Sequence, residues 1–370
     1  MKRIIITLLL TLCSTAFGQM PNNFSETVQK AINVISPSVV SLQPVGGMES
    51  AGNSVLPEIS TGVFVSTDGY IITSSLGFDP APPSIIVRLN DGTIRSGKVV
   101  AIDKIRKLAL LKIATDSPTP VPEFAPRSEW KVGQWTIACG RVFPPNKEGV
   151  SAVNVTVGIL SALSRVWGVA VQTDAAVSPN NYGGPLLDVR GRVIGIIVPL
   201  SPQSDEADAG VDWYDSGIGF AIPWEDVQSV FPKLAKGENI VPGFIGFSTE
   251  IPNPSIAEPV LIDPPKDSPA QKAGFKKGDR IISVDGKPVE TFAQFKRVIS
   301  GKTVGDTIEV VAQRKGKKNG DPTTITQKIT LSERPLKIEE EKEEKKPGLL
   351  DQLRKNLKDL LPKKPKKSDE

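Results

Sequence analysis

Residues 171–196 read VQTDAAVSPNNYGGPLLDVRGRVIGI. Arg190-Gly191 is a pair suited to a hairpin turn, and it leads into RVIGIIV, a short run of strand-forming residues. Upstream, Gly183, Gly184 and Pro185 mark a tight turn directly after Tyr182. The same grammar extends outward from this stretch. VVSL, GVFVST, YIITSS, SIIVRL, GKVVAI and LALLKI are short apolar runs separated by turn signals, with Asp68-Gly69 and Asp91-Gly92 at hairpin positions. Many short strands at this spacing, from Ser38 to about residue 230, predict a mostly β unit, either a barrel or a sandwich.

The flanks differ. Residues 24–35 carry Phe24, Val28, Ala31, Ile32 and Ile35 at helical spacing, with Ser25 placed to cap the start and Pro37 beyond the end. Polar residues and prolines gather at 201–217, which reads as a surface loop. A second unit begins near Ile240 and carries GFIGF, SPAQKAGFKKGDRIISVDGKPV, the helical stretch TFAQFKRVIS and the strand-like TIEVVAQR. From Pro335 the composition changes to eleven basic and nine acidic residues in thirty-six, which predicts no packed core. Within this tail Leu349, Leu350, Leu353, Leu357, Leu360 and Leu361 line one helical face, and KKPKK follows. That stripe can dock within the chain, pair with a partner helix or rest on an anionic membrane, although the acidic run at 339–344 opposes the last.

Residues 1–18 read as a secretory signal peptide. Lys2 and Arg3 precede a short apolar run, Ile4 to Leu12, and Ala16 and Gly18 have the spacing of a cleavage site after Gly18. A membrane anchor is the alternative, opposed by the shortness of that run. Leu12 stands where a lipoprotein signal would want a small residue before Cys13. After cleavage only Cys139 remains, so no internal disulfide is expected, and its apolar setting TIACGRV predicts a buried thiol.

Of 370 residues none is histidine, and the formal net charge is +4. Residues 19–334 hold equal numbers of basic and acidic side chains, which gives no general nucleic-acid signature. With no histidine, one cysteine after cleavage and no clustered carboxylate motif, neither a metal site nor a cofactor is expected.

Several motifs, in order, resemble the HtrA/Deg family of trypsin-like serine proteases, and the resemblance runs from about residue 24 to 333. It implies a chymotrypsin-like double β-barrel followed by one PDZ domain, with boundaries at 1–18 (signal peptide), 19–236 (protease-like), 240–333 (PDZ) and 335–370 (tail). In that family SGVIIS-DGYILTNNHV carries the catalytic histidine. Here TGVFVSTDGYIITSSLGF puts Leu76 at that position. The catalytic aspartate lies in D-x-x-x-DLAVLKI, and DKIRKLALLKI puts Lys107 there. The serine lies in NPGNSGGPL, and SPNNYGGPL puts Tyr182 at the serine and Asn180 at the preceding glycine.

No replacement is conservative. Leu76 cannot accept a proton, Lys107 reverses the charge that would steady an imidazolium, and Tyr182 sets a ring where a small hydroxyl belongs. The resemblance therefore implies a pseudoenzyme with no catalytic residues. Its remnant would be the turn at Asn180 and Gly183, where the family builds an oxyanion hole from the N–H groups at 180 and 182. Asn180 is read as tolerating a left-handed backbone, and the Tyr182 ring is expected to fill the notch. The alternative is an endopeptidase with an unrecognised nucleophile, such as Ser74 or Ser75 with Lys107 as base.

Gly243, Phe244, Ile245, Gly246 and Phe247 resemble the carboxylate-binding loop of PDZ domains. Such a loop points consecutive N–H groups at one anion and lets a peptide add as a strand beside the segment after Gly246, with Phe292 to Ile299 as the other wall. The implied partners are C-terminal or unfolded peptide segments. A homotrimer or a mixed oligomer with active relatives is a further implication, and membrane contact through the tail stays open. The implied location is across the inner membrane, in the periplasm or another extracytoplasmic space.

Overall fold

In the computed structural model of the chain, residues 22–46, 59–141, 153–201, 216–247, 260–316 and 321–335 are described. The expected signal peptide at 1–18, most of the expected surface loop at 201–217, the segment after Phe247 and the leucine-patterned stretch lie outside them. The first element is helix α1, Asn22–Ile35. It starts ahead of the expected residue 24, so Ser25 lies inside the helix rather than at its cap. Ala31 and Ile35 on its apolar face are buried, and the Phe24 ring sits 4.9 Å from that of Trp135.

Six strands then close on themselves in the order β1-β2-β3-β6-β5-β4. They are β1 (Val39–Val45), β2 (Ser60–Phe64), β3 (Tyr70–Ser74), β4 (Ser84–Arg88), β5 (Ile94–Asp103) and β6 (Leu108–Ile113). A second closed barrel follows in the order β10-β11-β12-β9-β8-β7. Its strands are β7 (Trp135–Arg141), β8 (Val153–Arg165), β9 (Ala170–Thr173), β10 (Pro185–Leu187), β11 (Val193–Ile197) and β12 (Gly219–Pro223). Closure, rather than a sandwich, accounts for apolar runs such as LALLKI. β6 has barrel core on one side and packed neighbours on the other, so five of its six residues are buried. Closure also removes the exposed edges on which strands aggregate. Cys139 is fully buried in the core beside α1, and desolvation drives its thiol far above the ordinary cysteine range.

Helix α2, Trp224–Ala235, leads out of β12 with Glu225 and Asp226 in its first turn, where the helix dipole favours negative charge. Beyond it the chain does not run free. The Ile240 N–H donates to the Ile102 carbonyl (2.9 Å) and the Lys104 N–H to the Ile240 carbonyl (2.9 Å). Ile240 thus pairs in parallel with Asp103 at the end of β5. Three residues later the Gly243 N–H donates to the Lys302 carbonyl, and the Val304 N–H donates to that of Val241.

The third body is a sheet ordered β13-β14-β16-β17, with β15 paired to β14. These strands are β13 (Leu261–Ile262), β14 (Asp279–Val284), β15 (Lys287–Pro288), β16 (Thr307–Arg314) and β17 (Thr323–Thr330). Two helices pack on it, α3 (Pro269–Lys272) and α4 (Phe292–Ile299). Thr291 caps α4 in a capping box with Gln294. Asp279, 1% exposed, accepts Arg314 Nε and Nη2 at 2.7 Å each and the Lys276 N–H at 2.8 Å. Asp279→Ala removes two of the Arg314 guanidinium's bonds, leaving the one to the Gly274 carbonyl (3.0 Å), and takes the acceptor from the Lys276 N–H. It should lower unfolding stability by about 2–4 kcal/mol, read as a lower urea midpoint. An unchanged midpoint would show this pair to be dispensable.

A second tie joins barrel and sheet. Val166, Trp167 and Gly168, between β8 and β9, all have positive φ (48°, 59° and 93°), a conformation that costs a valine or a tryptophan on the order of 1–3 kcal/mol. The tip is held from outside. The Trp167 ring meets Phe292 of α4 edge-on at 6.3 Å, Arg297 Nη2 donates to Ser164 Oγ (2.6 Å) and Ser300 Oγ to the Trp167 carbonyl (3.3 Å).

Candidate functional site

The segment 178–184 lies where the two barrels meet. Residues 179–181 form a 3₁₀ turn, entered through a capping box between Ser178 and Asn181. The turn ends at Tyr182, and Gly183 follows with φ 84°. Strands β2 and β11 hold this stretch. The Thr61 N–H donates to the Tyr182 carbonyl (3.2 Å), Thr61 Oγ1 to the Asn180 carbonyl (2.6 Å) and the Gly183 N–H to the Ile197 carbonyl (2.8 Å). An added Cβ on Gly183 would stand 2.1 Å from both the Thr61 carbonyl oxygen and Thr73 Oγ1, so only glycine fits. Sequence reading saw the need for a turn at Gly183 but not Thr61 and Thr73, because their approach comes from strands more than a hundred residues away.

Two expectations about this turn are corrected. Asn180 is not left-handed: among the described residues positive φ outside glycine belongs to Lys107, Val166, Trp167, Asp267 and Asp285. The tight 3₁₀ turn replaces the open loop that a left-handed residue would have made. Nor does the Tyr182 N–H face outward as an oxyanion donor. It closes the 3₁₀ turn on the Pro179 carbonyl at 3.2 Å. One of the two donors expected at positions 180 and 182 is therefore committed to the fold.

Leu76 and Tyr182 lie in one apolar cluster with Trp130, Ala138, Leu160, Val177 and Leu186. Tyr182 is only 2% exposed, and burial pushes its phenol up to about 12, so the neutral form persists throughout the physiological range. Such a phenol is no nucleophile at neutral pH. Lys107 sits in the turn between β5 and β6 with φ 56°, half-buried, and its carbonyl accepts the Ser75 N–H (2.8 Å). The serines before Leu76 are poorly placed for a Ser-Lys pair. Ser74 is fully buried, with Oγ accepting the Leu76 N–H at 3.2 Å, and Ser75 is 7% exposed. Among the described residues no three histidine, cysteine or carboxylate groups gather as a metal site would require.

The loop at 243–247 is the other candidate site, and the structure narrows its anion-binding part. Gly243 donates its N–H to Lys302, and Phe244 donates to the Ser332 carbonyl at 2.7 Å. A backbone nest must therefore be built from Ile245, Gly246 and Phe247. Gly246 has the positive φ (75°) that turns successive N–H groups toward one point. The Ile245 carbonyl accepts the Ala270 N–H, which anchors the loop to α3. Phe247 packs against Phe275 and Phe295, with ring centroids 5.7 and 5.9 Å away. The loop thus faces the α4 wall, as expected.

Comparison with known proteins agrees with this architecture. A trypsin-like peptidase domain matches residues 60–196, and a PDZ domain matches residues 243–320. The periplasmic serine endoprotease DegP-like of Chlamydia trachomatis, described there as probable, is 33% identical over 282 residues, covering 72% of this chain and 54% of the relative. The chain spans about half the length of the curated relatives of that type. The serine protease Do-like HtrA of Bacillus subtilis is 30% identical over 353 residues, covering 85% of this chain and 74% of its own. Among solved structures, the serine endoprotease from Yersinia pestis matches with a TM-score of 0.59 at 28% identity, over 86% of this chain and 100% of that one. The HtrA-type protease AlgW with tripeptide matches with a TM-score of 0.64 at 25% identity, over 83% and 98%. With two closed barrels, a PDZ domain behind them and a relative matched over most of both chains, this chain belongs to the HtrA family of trypsin-like serine proteases.

Proposed function

We propose that this chain is an exported, non-catalytic member of its family that binds unfolded or C-terminal peptide segments, as a chaperone, adaptor or regulator in protein quality control. The observation that carries this reading is the burial of Leu76 and Tyr182, at the family's histidine and serine positions, in one apolar cluster of a chain without histidine. A Ser-His-Asp mechanism needs an imidazole to take the serine proton and return it to the leaving amine. Neither the group nor its serine is present at these positions, and Lys107 stands where the aspartate would be. On this reading residues 19–236 act as scaffold, 240–333 as the peptide-binding module and 335–370 as an appended tail.

Support for peptide binding comes from the Gly246 turn and from AlgW, whose structure was solved with a tripeptide. Support for export comes from the leader-like residues 1–18 and from relatives named periplasmic. Among the described residues no helix is long and apolar enough to cross a membrane. Assembly into trimers or with active relatives belongs to the same proposal.

The second reading is an endopeptidase, favoured by relatives that are named serine endoproteases. A degradation assay separates the two. Purified mature protein is expected neither to cleave an unfolded substrate nor to take up a fluorophosphonate probe. Cleavage that co-purifies with monodisperse protein and disappears in Lys107→Ala would overturn the proposal in favour of a lysine-dependent nucleophile.

A further inference from the structure

The carboxylate loop has a cation beside it that its own motif does not supply. Phe244 and Ser332 exchange backbone hydrogen bonds, 2.7 Å from the Phe244 N–H and 3.2 Å back. The pairing is antiparallel, so the chain after Ser332 runs back past Phe244 toward Gly243, and Arg334, two residues on, places its guanidinium carbon 5.9 Å from the centroid of the Phe244 ring. The same ring flanks the turn of the nest. A Cβ added to Gly246 would stand 3.3 Å from Phe244 Cε1 and 2.3 Å from Ser268 Cβ. The Phe244 ring thus has one edge close to Gly246 and the Arg334 guanidinium near its face.

Arg334 is exposed and takes part in no ion pair among the described residues. Lys302, whose carbonyl holds Gly243, is differently placed: its Nζ is bonded to Asp285 Oδ2 at 2.5 Å, and Asp285 Oδ1 also accepts the Glu309 N–H. A guanidinium beside a ring keeps its fork of donors free and is weakly hydrated. Those are the properties that suit a carboxylate partner.

We propose that Arg334 is the charge partner of the ligand's terminal carboxylate. The nest from Ile245 to Phe247 donates N–H groups to the carboxylate, and Phe244 holds the guanidinium beside them. The inference rests on the peptide-binding reading above. It adds that the binding charge comes from the far end of the domain, carried in by the Phe244–Ser332 pairing rather than by the loop.

The test uses the full chain and a fluorescent peptide ending in an apolar residue, made as the free acid and as the amide. Arg334→Ala should weaken the free acid about fivefold at low ionic strength and leave the amide unchanged, because an exposed pair is worth up to about 1 kcal/mol. Arg334→Lys should keep most of the affinity, and the difference should shrink in high salt, as a screened contact must. Equal loss for acid and amide would assign Arg334 to packing and overturn the proposal. So would a wild-type preference for the acid that survives Arg334→Ala intact. Wild-type protein that binds both peptides alike, or neither, would instead overturn the carboxylate reading of the loop itself, and the role of Arg334 with it.

Discussion

Gly183→Ala should not assemble the native barrel pair. The new Cβ would lie 2.1 Å from the Thr61 carbonyl oxygen and from Thr73 Oγ1, and 2.8 Å from the Ser74 amide nitrogen. Two of these three atoms are backbone of β2 and β3, locked in the barrel ladder, so the clash cannot be relieved by a rotamer change. The φ of 84° adds the penalty of a left-handed alanine. Together these should cost more than about 4 kcal/mol, against a typical total stability of about 5–15 kcal/mol. Gly77 is the control. It has φ 82°, and a Cβ there meets no atom within 4 Å. Gly77→Ala should therefore cost only about 1 kcal/mol, the backbone part alone. Urea midpoints of the two variants decide the matter. Equal losses would mean that the close approach of β2 and β3 to Gly183 contributes nothing.

Tyr182→Ser alone should give no proteolysis. A serine hydroxyl needs a base beside it, and the neighbour contributed by β3's exit is Leu76. The substitution also empties a space now filled by a ring that is 2% exposed, which should destabilise the fold by about 3–5 kcal/mol. The combined change Leu76→His, Lys107→Asp and Tyr182→Ser restores the three residue types but not the oxyanion donor, because the residue 182 N–H closes on the Pro179 carbonyl. Loss of one such donor costs about 100- to 1000-fold in rate, so the triple variant should reach a trace at best. Turnover of an unfolded substrate and fluorophosphonate labelling read both variants. Strong cleavage by Tyr182→Ser alone would reveal a base that already serves position 182 and would end the account of a dead site.

Much of this architecture was legible in advance because it rests on local signals. Short β-rich runs between Asp-Gly and Arg-Gly turns marked the barrel strands. Thr291 and Gln294 bracket the start of α4 through a capping pattern written in four consecutive residues. The positions 76 and 182 were singled out through resemblance to the family's motifs, and both lie in one buried cluster. What escaped was set by long-range contact. The 3₁₀ turn at 179–181 depends on Thr61 drawing in the Asn180 carbonyl, which no local rule at Asn180 contains. The left-handed tip at Val166 and Trp167 contradicts local preference outright and persists where α4 supplies hydrogen bonds from another domain. The position of Arg334 follows from the Phe244–Ser332 pairing, which joins residues far apart in sequence. Choosing a barrel over a sandwich also required the closing pair, β1 with β4.

The link around Ile240 has a mechanical consequence. Its bonds to Ile102 and Lys104 on one side, and those of Val241 and Gly243 to the 302–304 turn on the other, are made by main-chain atoms. The bonds themselves do not depend on side-chain identity, but two positions of the segment do: Ile240 is buried in the core, and a Cβ on Gly243 would stand 2.8 Å from the Thr303 carbonyl oxygen. A pull on the 243–247 loop would load that joint through Gly243. The force would pass into the end of β5 as a sideways pull on a closed ladder, where neighbouring rungs share the load. The connecting segment therefore transmits tension between the two bodies, as a strut does, where a slack tether would let one swing free of the other.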